Sequence, residues 1–403
     1  MATRKSPTSR RGVGAEGRCF LPPDRGRTAG RPVGPPARLG VGWTCPSGFG
    51  RPRPPPASGR SGQFLPGGEP VLSAEVERIR IPGLDREVSR IGLGTWAMGG
   101  WMWGGSDEAG AVASVERAFE MGINLVDTAP VYGFGRAEEI VGRALRRIGH
   151  RQELVIATKV GLEWNARGEI RRNSRPERIR QEVEESLRRL GVDVIDLYQV
   201  HWPDPSTPVE STAETLLRLR EEGKIRAIGV SNYSVAQMER WRQAAPLHTA
   251  QPPYNLFERE AEREILPYCR EHGVATLTYG VLARGLLTGK FTAGTTFPEG
   301  DLRRQDPKFQ GERFRHYLEA VDRLRPLAER HGRSLAQLAA RWALQQPGVQ
   351  VSLWGVRRPA QVEEVAGVWG WSLDAGELAE IERILAESIP EPVGPEFMAP
   401  PEA

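Results

Sequence analysis

The sequence predicts an α/β fold for residues 74–403, a (β/α)8 TIM barrel with an N-terminal β-hairpin and a long insertion between strands 7 and 8. From residue 91 onwards, eight short apolar runs alternate with stretches that have the periodicity of amphipathic helices. All eight units fit into roughly 280 residues, and a doubly wound parallel sheet usually has fewer strands. The number of units therefore favours a closed barrel over an open sheet.

A predicted hairpin precedes the first barrel strand. Val76–Ile81 and Arg86–Ile91 are strand-like, and Pro82-Gly-Leu-Asp85 between them has the residues of a turn. The apolar runs that follow predict barrel strands at Ile91–Thr95, Asn124–Asp127, Leu154–Lys159, Asp196–His201, Ile225–Val230, Thr249–Pro252, Ala275–Tyr279 and Val351–Leu353.

Amphipathic stretches predict the helices that separate these strands. One of them follows Ser174-Arg-Pro-Glu177, which has the pattern of a capping box with proline in the first turn. About 70 residues separate the seventh and eighth strands, so extra structure is expected there, including an added helix at Gly311–His331. The predicted helices are Glu108–Met121, Glu138–Arg147, Glu177–Leu190, Ala213–Glu222, Ala236–Ala244, Gly311–His331 and Ser334–Gln346.

Residues 1–73 differ in composition and are predicted to be a disordered segment rich in Pro, Gly and Arg. Residues 1–70 carry 11 Arg and 1 Lys against 3 acidic residues, a net charge of +9. Subtracting this from the +4 of the whole chain leaves −5 for residues 71–403. The basic pI of about 9.1 therefore belongs to the first segment, and no nucleic-acid partner is expected for the barrel.

The role of the first segment stays open. It has no apolar run long enough for a secretory signal, and its many prolines oppose the amphipathic helix of an organellar transit peptide. The segment is alternatively dispensable, or it lies upstream of the native start. The intact mass of the native protein decides between these interpretations, because a chain that begins at Met1 excludes a later start.

Composition excludes several further classes of function. No run of about 18 apolar residues occurs, so neither a membrane span nor a membrane partner is expected. Cys269 is the only cysteine after residue 45, so no disulfide is expected in the barrel, and a reducing, cytoplasmic location is predicted. The six His are scattered without the spacing of metal ligands, so no metal site is expected.

Polar side chains follow the predicted strands at the ends where barrel enzymes carry their reactive groups. As single residues, Asp127 is equally compatible with a turn cap and Lys159 with a solvated strand end. Their recurrence after strand upon strand favours one shared site. The residues at these ends are Thr95, Trp96, Asp127, Lys159, His201, Ser231, Asn232, Gln251 and Tyr279.

The chemistry that fits these residues is proton-coupled hydride transfer. Tyr132 follows Asp127 by five residues, and a tyrosine is a poor acid at neutral pH because its pKa in water is about 10. The ammonium of Lys159 is predicted to lower that pKa, with Asp127 holding the ammonium in place. His201 is predicted to donate a hydrogen bond to a carbonyl oxygen that gains charge. The structural alternatives are that Tyr132 is an ordinary loop aromatic and that His201 is a histidine of the barrel rim with a structural role.

Six motifs occur in order along the chain: Gly94-Thr-Trp96, Asp127-Thr-Ala-Pro-Val-Tyr132, Ala157-Thr-Lys159, Gln199-Val-His201-Trp202, Gly229-Val-Ser-Asn232 and Leu286-Leu-Thr-Gly-Lys290. Together they closely resemble the aldo-keto reductases, in particular bacterial NADPH-dependent general-stress-type members, over roughly residues 76–400. The resemblance implies a catalytic tetrad, which consists of Asp127, Tyr132, Lys159 and His201.

The resemblance also implies a binding site for NADPH or NADP+. By resemblance, Ser231, Asn232 and Gln251 hold the nicotinamide carboxamide and Tyr279 stacks under the ring, which suits a flat ring and an amide. The further cofactor contacts that it implies are Thr95, Trp96, Asp127, Leu282, Arg284, Gly285, Lys290 and Gly355.

The adenosine end of the cofactor is expected beside the last predicted strand. Arg357 and Arg358 stand next to a helix start, and by resemblance Arg357 meets the 2′-phosphate while Gln361 and Glu364 lie near the adenine. This arrangement favours NADPH over NADH. Trp354 and Val365 depart from the family pattern, in which Pro and Asn are usual. The alternative is that the two arginines form a solvated basic turn.

Tryptophans beside the rim predict an apolar pocket for a small carbonyl substrate. The predicted pocket consists of Trp96, Trp101, Tyr132 and Trp202, whereas Trp103 and Trp164 are nearly as compatible with packing. The sequence thus predicts an NADPH-dependent oxidoreductase that reduces aldehydes or ketones. A cofactor-sensing accessory subunit with slow chemistry and a cofactor-free barrel hydrolase or isomerase stay open, as do the physiological substrate and the oligomeric state.

Overall fold

The computed structural model describes residues 75–401, so the predicted disordered segment 1–73 lies outside the described residues. Eight parallel strands close into a barrel in the order β3-β4-β5-β8-β9-β10-β11-β12, and β12 pairs with β3. The strands of the described chain are β1 (Arg78–Arg80), β2 (Glu87–Ser89), β3 (Ile91–Gly94), β4 (Leu125–Asp127), β5 (Val155–Val160), β6 (Leu162–Trp164), β7 (Ile170–Arg172), β8 (Ile195–Val200), β9 (Ile225–Ser231), β10 (Thr249–Gln251), β11 (Ala275–Thr278) and β12 (Val351–Gly355).

The helices lie between and after the barrel strands, as the alternating pattern predicts. The seven predicted helices are confirmed, with ends that differ by a few residues. Within residues 75–401, no helix is long and apolar enough to cross a membrane. The helices are α1 (Glu108–Glu120), α2 (Arg136–Ile148), α3 (Pro176–Leu190), α4 (Val209–Glu221), α5 (Val235–Ala244), α6 (Ile265–Glu271), α7 (Gly311–Arg330), α8 (Leu335–Gln345), α9 (Pro359–Glu363) and α10 (Ala375–Ser388).

The predicted hairpin is confirmed and closes the amino-terminal end of the barrel. β1 and β2 pair antiparallel, and Ile81 and Val88 from this hairpin are buried with the apolar side chains of the barrel interior. Ser89 donates a backbone hydrogen bond of 2.8 Å to Oδ1 of Asn124, which fixes the hairpin to the start of β4. The cavity beside the predicted site residues lies at the opposite end, where the parallel strands finish.

Two insertions decorate that carboxyl-terminal end. The insertion between β11 and β12 is confirmed and contains α7 and α8 together with short 3-10 turns. The sequence analysis missed the second insertion, the hairpin of β6 and β7 directly after β5, in which Leu162 pairs with Arg172. Each of its strands has only three residues, which is too short for an alternating pattern to stand out.

The predicted capping box before α3 is wrong. Pro176 is the first helical residue and Arg175 occupies the N-cap position, without a side-chain cap. Ser174 lies one residue too early, and its backbone N–H donates instead to Oδ2 of Asp204 at 2.8 Å. The proline fixes where the helix starts, so the Ser-x-x-Glu spacing does not bring the hydroxyl to the first turn.

The buried side chain of Glu182 on α3 makes the stability of the fold depend on pH. Its Oε2 accepts a hydrogen bond of 3.2 Å from the backbone N–H of Gly161, and burial raises its pKa to about 8 although Arg178 opposes the shift. The folded state thus keeps a proton that the unfolded chain releases above about pH 4.5, so this group lowers the stability progressively as the pH rises to about 8.

We therefore expect Glu182→Gln to have a higher unfolding temperature than the wild type at about pH 8, and the difference to grow from about pH 5 to pH 8. Thermal unfolding followed by circular dichroism measures it. Glu184→Gln, which removes a carboxylate at an exposed position of the same helix, is the matched control. A constant difference for Glu182→Gln would contradict the prediction.

Candidate active site

Three neighbouring barrel strands and one loop bring the predicted tetrad together. Asp127 ends β4, Lys159 lies near the end of β5, and His201 directly follows β8. Lys159 is 0% exposed, and its Nζ donates to Oδ1 of Asp127 at 2.5 Å and to the backbone carbonyl of Thr128 at 3.1 Å. The same Nζ lies 3.4 Å from the hydroxyl of Tyr132. A cation and a phenol therefore share one buried site.

Close backbone packing holds the loop that carries Tyr132. A Cβ atom on Gly99 would lie 2.5 Å from the carbonyl oxygen of Tyr132, and one on Gly133 would lie 2.3 Å from the carbonyl oxygen of Gly99. Gly133 also has φ of +67°, which is costly for other residues. The two glycines let the loop after β4 rest against the turn after β3, and this contact directs the phenol toward Lys159.

Two amide side chains saturate the other oxygen of Asp127. Gln199 and Gln251 donate to its Oδ2 from their Nε2 atoms at 3.2 and 2.9 Å. Asp127 thus accepts from Lys159 and from both amides, which holds the carboxylate in one orientation. The sequence analysis assigned no role to Gln199. Its position within β8, alternating with the outward-facing Tyr198, is the signal that could have placed it inside the barrel.

Burial raises the pKa of Tyr132 well above its usual value, and the negative charge of Asp127 acts in the same direction. The predicted lowering of this pKa is therefore wrong. The ammonium of Lys159 stands closer to Asp127 than to the phenol, so the carboxylate offsets its charge, and a buried phenolate loses its hydration. Burial also lowers the pKa of Lys159, although Asp127 opposes this shift.

His201 completes the site as a neutral imidazole. Burial, followed by the positive charge of Lys159, lowers the pKa of His201 well below its usual value. Its ring centroid lies 5.6 Å from that of Tyr132, with the two rings nearly perpendicular. A neutral imidazole retains one N–H donor, so the cavity holds two neutral donors beside a buried ammonium.

The residues predicted to hold an amide group also meet beside the tetrad. The hydroxyl of Tyr279 donates to Oδ1 of Asn232 at 2.9 Å, and Nδ2 of Asn232 donates to the backbone carbonyl of His201 at 2.9 Å. Ser231 donates to the backbone carbonyl of Gln251 at 2.8 Å. Asn232 adopts φ of +61°, which turns its side chain back over the strand ends.

The predicted adenosine site lies at the start of α9. Arg357 donates from its guanidinium to the backbone carbonyls of Trp103 and Gly105 at 2.8 and 2.7 Å. Oε1 of Gln361 accepts from the backbone N–H groups of Arg357 and Arg358, and a carboxylate oxygen of Glu364 accepts from Ser334. These side chains therefore fix the helix start and join it to the 101–105 loop. The backbone of Gly355 faces open space.

The turn after β11 has an unusual backbone. Ala283, Arg284 and Gly285 all have positive φ, at 46°, 55° and 93°. Leu282 lies at the start of this turn and packs against the core, whereas Lys290 is exposed just after it. The backbone N–H groups of Ala283 and Gly285 donate to the carbonyls of Gly280 and Leu282 at 2.7 and 2.9 Å, so hydrogen bonds within the turn hold this backbone. Directly after β3, Thr95 donates its hydroxyl to the backbone carbonyl of Asp127 at 3.0 Å.

The side chain of Arg284 points into a buried charge cluster, defined as Glu258, Arg284, Asp306 and Lys308. Arg284 pairs with Glu258 and, at 2.5 Å, with Asp306, while Nζ of Lys308 lies 2.8 Å from Glu258. Lys308 also donates to the backbone carbonyl of Gly394 at 3.1 Å. The guanidinium is therefore occupied inside the protein, and Arg284 presents only its backbone to the rim.

A cavity of about 430 Å³ opens beside the tetrad, and all four predicted pocket residues line it: Trp96, Trp101, Tyr132 and Trp202. Part of the wall was not predicted, because it comes from the tail segment, residues 392–401, and from the β6–β7 hairpin. Trp103 packs edge-on against Trp96, and Trp164 packs against Phe134, so both anchor loops. Among residues 75–401, no group of three or more potential metal ligands occurs.

Comparison with known proteins agrees with this geometry. Residues 90–386 match the model of the aldo/keto reductase family. Aldo-keto reductase YhdN of Bacillus subtilis is 54% identical over 316 residues, which are 78% of this chain and 95% of the relative. The NADH-specific methylglyoxal reductase of Escherichia coli is 36% identical over 328 residues, which are 78% of this chain and 99% of that protein.

Solved structures show the same barrel. The glycerol dehydrogenase AKR11B4 of Gluconobacter oxydans has a TM-score of 0.74 and 52% identity, covering 82% of this chain and 100% of its own. An aldo-keto reductase of Klebsiella pneumoniae in complex with NADPH has a TM-score of 0.60 and 28% identity, with 77% and 95% coverage. On the family match, the sequence identities and the shared barrel, this chain belongs to the aldo/keto reductase family.

Proposed function

We propose that this protein is an NADPH-dependent oxidoreductase that reduces aldehydes or ketones to alcohols, with Tyr132 as the general acid. The observation that carries the proposal is the placement of the Tyr132 hydroxyl 3.4 Å from the buried ammonium of Lys159, on the wall of a cavity that His201 also lines. A proton donor, a charge that stabilises its conjugate base and a second hydrogen-bond donor then surround one position for a carbonyl oxygen.

The residues around the cavity fit a nicotinamide cofactor. Tyr279 offers a flat ring to the cavity, and Ser231, Asn232 and Gln251 line it with hydroxyl and amide groups that suit a carboxamide. Arg357, at the start of α9, suits the adenosine 2′-phosphate, although its guanidinium also holds the 101–105 loop. When bound, the cofactor supplies the hydride that adds to the carbonyl carbon. The complex of the Klebsiella relative with NADPH supports this choice.

The protein side of the reaction consists of orientation and proton transfer. The neutral imidazole of His201 donates a hydrogen bond to the carbonyl oxygen. As charge develops on that oxygen, the Tyr132 hydroxyl transfers its proton to it, and the alcohol forms. The phenolate that is left stands beside Lys159, which Asp127 holds in place. Proton uptake from solvent then restores the phenol. General acid catalysis of this kind contributes about 10²–10⁴-fold to the rate.

The cavity wall indicates an uncharged substrate. Among the described residues that line it, most are apolar or aromatic, and Glu169 is the one with a formal negative charge. No arginine or lysine of residues 75–401 lines the cavity to receive a substrate carboxylate. We therefore expect neutral aldehydes and aromatic ketones to be preferred over oxo acids.

The decisive experiment follows the loss of NADPH absorbance with a panel of neutral aldehydes, aromatic ketones and oxo acids, repeated with NADH. The NADH arm is informative because the Escherichia coli relative is named as NADH-specific. Turnover of neutral carbonyls with NADPH as the better cofactor is the expected result. Tight NADPH binding without turnover would instead favour the accessory-subunit alternative, and failure to bind either cofactor would overturn the oxidoreductase proposal.

The raised pKa of Tyr132 predicts different pH profiles for the two directions of the reaction. Because burial and Asp127 keep the phenol protonated, kcat for carbonyl reduction is expected to be level from about pH 6 to about pH 9. Alcohol oxidation needs the phenolate as a base, so its rate is expected to rise with pH, up to about tenfold per unit. Initial rates in both directions measure this. A reduction rate that falls already between about pH 7 and pH 8 would contradict it.

A further inference from the structure

We propose that Arg172 is a positioning residue that holds the tail segment over the substrate cavity and thereby sets which carbonyl substrates fit. The inference rests on the proposed function, because it concerns the substrate side of the same cavity. Arg172 is the last residue of β7, in the hairpin that follows β5, and it is 8% exposed. It is not one of the residues that carry out the proton transfer.

The guanidinium of Arg172 joins two separate walls of the cavity. Its Nε and Nη2 atoms donate to the backbone carbonyl of Pro400 at 3.2 and 2.9 Å. Its Nη1 atom donates to the backbone carbonyl of Pro203 at 3.1 Å, directly after the cavity residue Trp202. The guanidinium also lies 5.5 Å from the ring centroid of Trp202, within the range of a cation–π contact. One buried cation thus fixes Pro400 relative to Trp202.

The tail segment depends on such contacts because it forms no strand. The N–H groups of Met398 and Ala399 donate to Pro395 and Glu396, which closes only a local turn. At its other end, the segment is held by the bond from Lys308 to the carbonyl of Gly394. Residues 397–401 line the cavity, and Arg284 contacts the ring of Phe397 and the sulfur of Met398 between the two attachments. Arg172 therefore fixes the end of the cavity-lining part at Pro400.

Loss of this contact is expected to open the cavity toward the tail segment without moving the tetrad. A small carbonyl compound then loses part of its wall, whereas a bulky one gains room. The binding of NADPH and the proton transfer use residues that Arg172 does not touch. The expected signature is therefore a change of KM and of size preference, with kcat and the Kd for NADPH unchanged.

The experiment compares Arg172→Met and Arg172→Lys with the matched control Arg171→Met, a neighbouring arginine that is exposed and pairs with Glu163. Hydrogen exchange of the Met398 and Ala399 amides is expected to become about tenfold faster in Arg172→Met, with an intermediate effect in Arg172→Lys. KM for a small aldehyde should rise about tenfold, and kcat/KM for a bulky aromatic ketone should rise relative to it.

A second variant tests the same contact from the other side. Deletion of residues 400–403 removes the acceptor carbonyl while Arg172 stays, so it is expected to reproduce the faster exchange of the Met398 and Ala399 amides even if Arg172→Met folds poorly. Its KM is not compared, because Pro400 and Pro401 line the cavity themselves. Combining both changes should add no further effect. Unchanged exchange in both variants or unchanged KM in Arg172→Met overturns the proposal, as does a change in the Kd for NADPH as large as that in KM. Exchange needs no turnover, so a wild type that reduces no carbonyl would refute the proposed function separately.

Discussion

Tyr132→Phe is expected to lower kcat for carbonyl reduction by about 10²–10⁴-fold, while the Kd for NADPH stays within about twofold. The change removes the hydroxyl that lies 3.4 Å from Nζ of Lys159 and leaves the ring in place. The other phenol of the cavity, that of Tyr279, is already bonded to Asn232. Steady-state kinetics and fluorescence titration of NADPH measure the two quantities.

A matched control exists on β8. Tyr198 is also buried, but its hydroxyl has no hydrogen-bond partner among the described residues and lies outside the cavity. Tyr198→Phe is therefore expected to keep wild-type kcat and to be at least as stable as the wild type, because it removes an unpaired buried hydroxyl. If Tyr132→Phe kept more than about a tenth of the wild-type kcat, Tyr132 would not be the general acid.

The buried pair of Lys159 and Asp127 is expected to show the largest effects on stability. Asp127→Asn leaves the ammonium without its counter-charge, and Lys159→Met leaves the carboxylate without its own, in a site that is almost fully enclosed. Each single change is expected to lower the free energy of unfolding by about 3–5 kcal/mol. The double variant removes both charges and is expected to recover most of this loss, although all three variants lose turnover.

Chemical denaturation of the four proteins at one pH gives the coupling between the two residues. A repeat at higher pH adds an independent check, because an unpaired buried lysine has a depressed pKa. In Asp127→Asn the folded state then binds fewer protons than the unfolded chain, so its stability is expected to rise toward about pH 9. If the losses in the free energy of unfolding of the two single variants simply add in the double variant, the residues do not act as a pair.

Much of the barrel could be predicted because its signals are local. Each of the eight strands is an apolar run bounded by polar residues, and the structure places all of them in the predicted order. The capping box before α3 shows where local reasoning fails. The residues Ser174 and Glu177 have the right spacing, but the contact of Ser174 with Asp204 comes from a loop 30 residues away. Tertiary contacts of this kind override a local pattern.

The residues of the candidate site also differ in whether the sequence alone could reveal them. Residues at strand ends, such as Asp127 and Lys159, could be found because parallel strands of a barrel finish at one rim. The contact of Arg172 with the tail segment could not, because it joins positions 228 residues apart and Arg172 belongs to none of the motifs. The direction in which the pKa of Tyr132 shifts could not be predicted from the sequence either. It depends on the extent of burial, which outweighs a cation that residue types alone can suggest.

The charge cluster couples several segments of the rim to one another. Glu258 comes from the loop after β10, Arg284 from the turn after β11, and Asp306 and Lys308 from the insertion, which also holds the tail segment through Gly394. Exchanging one of these segments for a sequence without its charge would leave the buried charges of the other segments unbalanced. Engineered variants with new substrate preferences should therefore fold better when these segments are exchanged together.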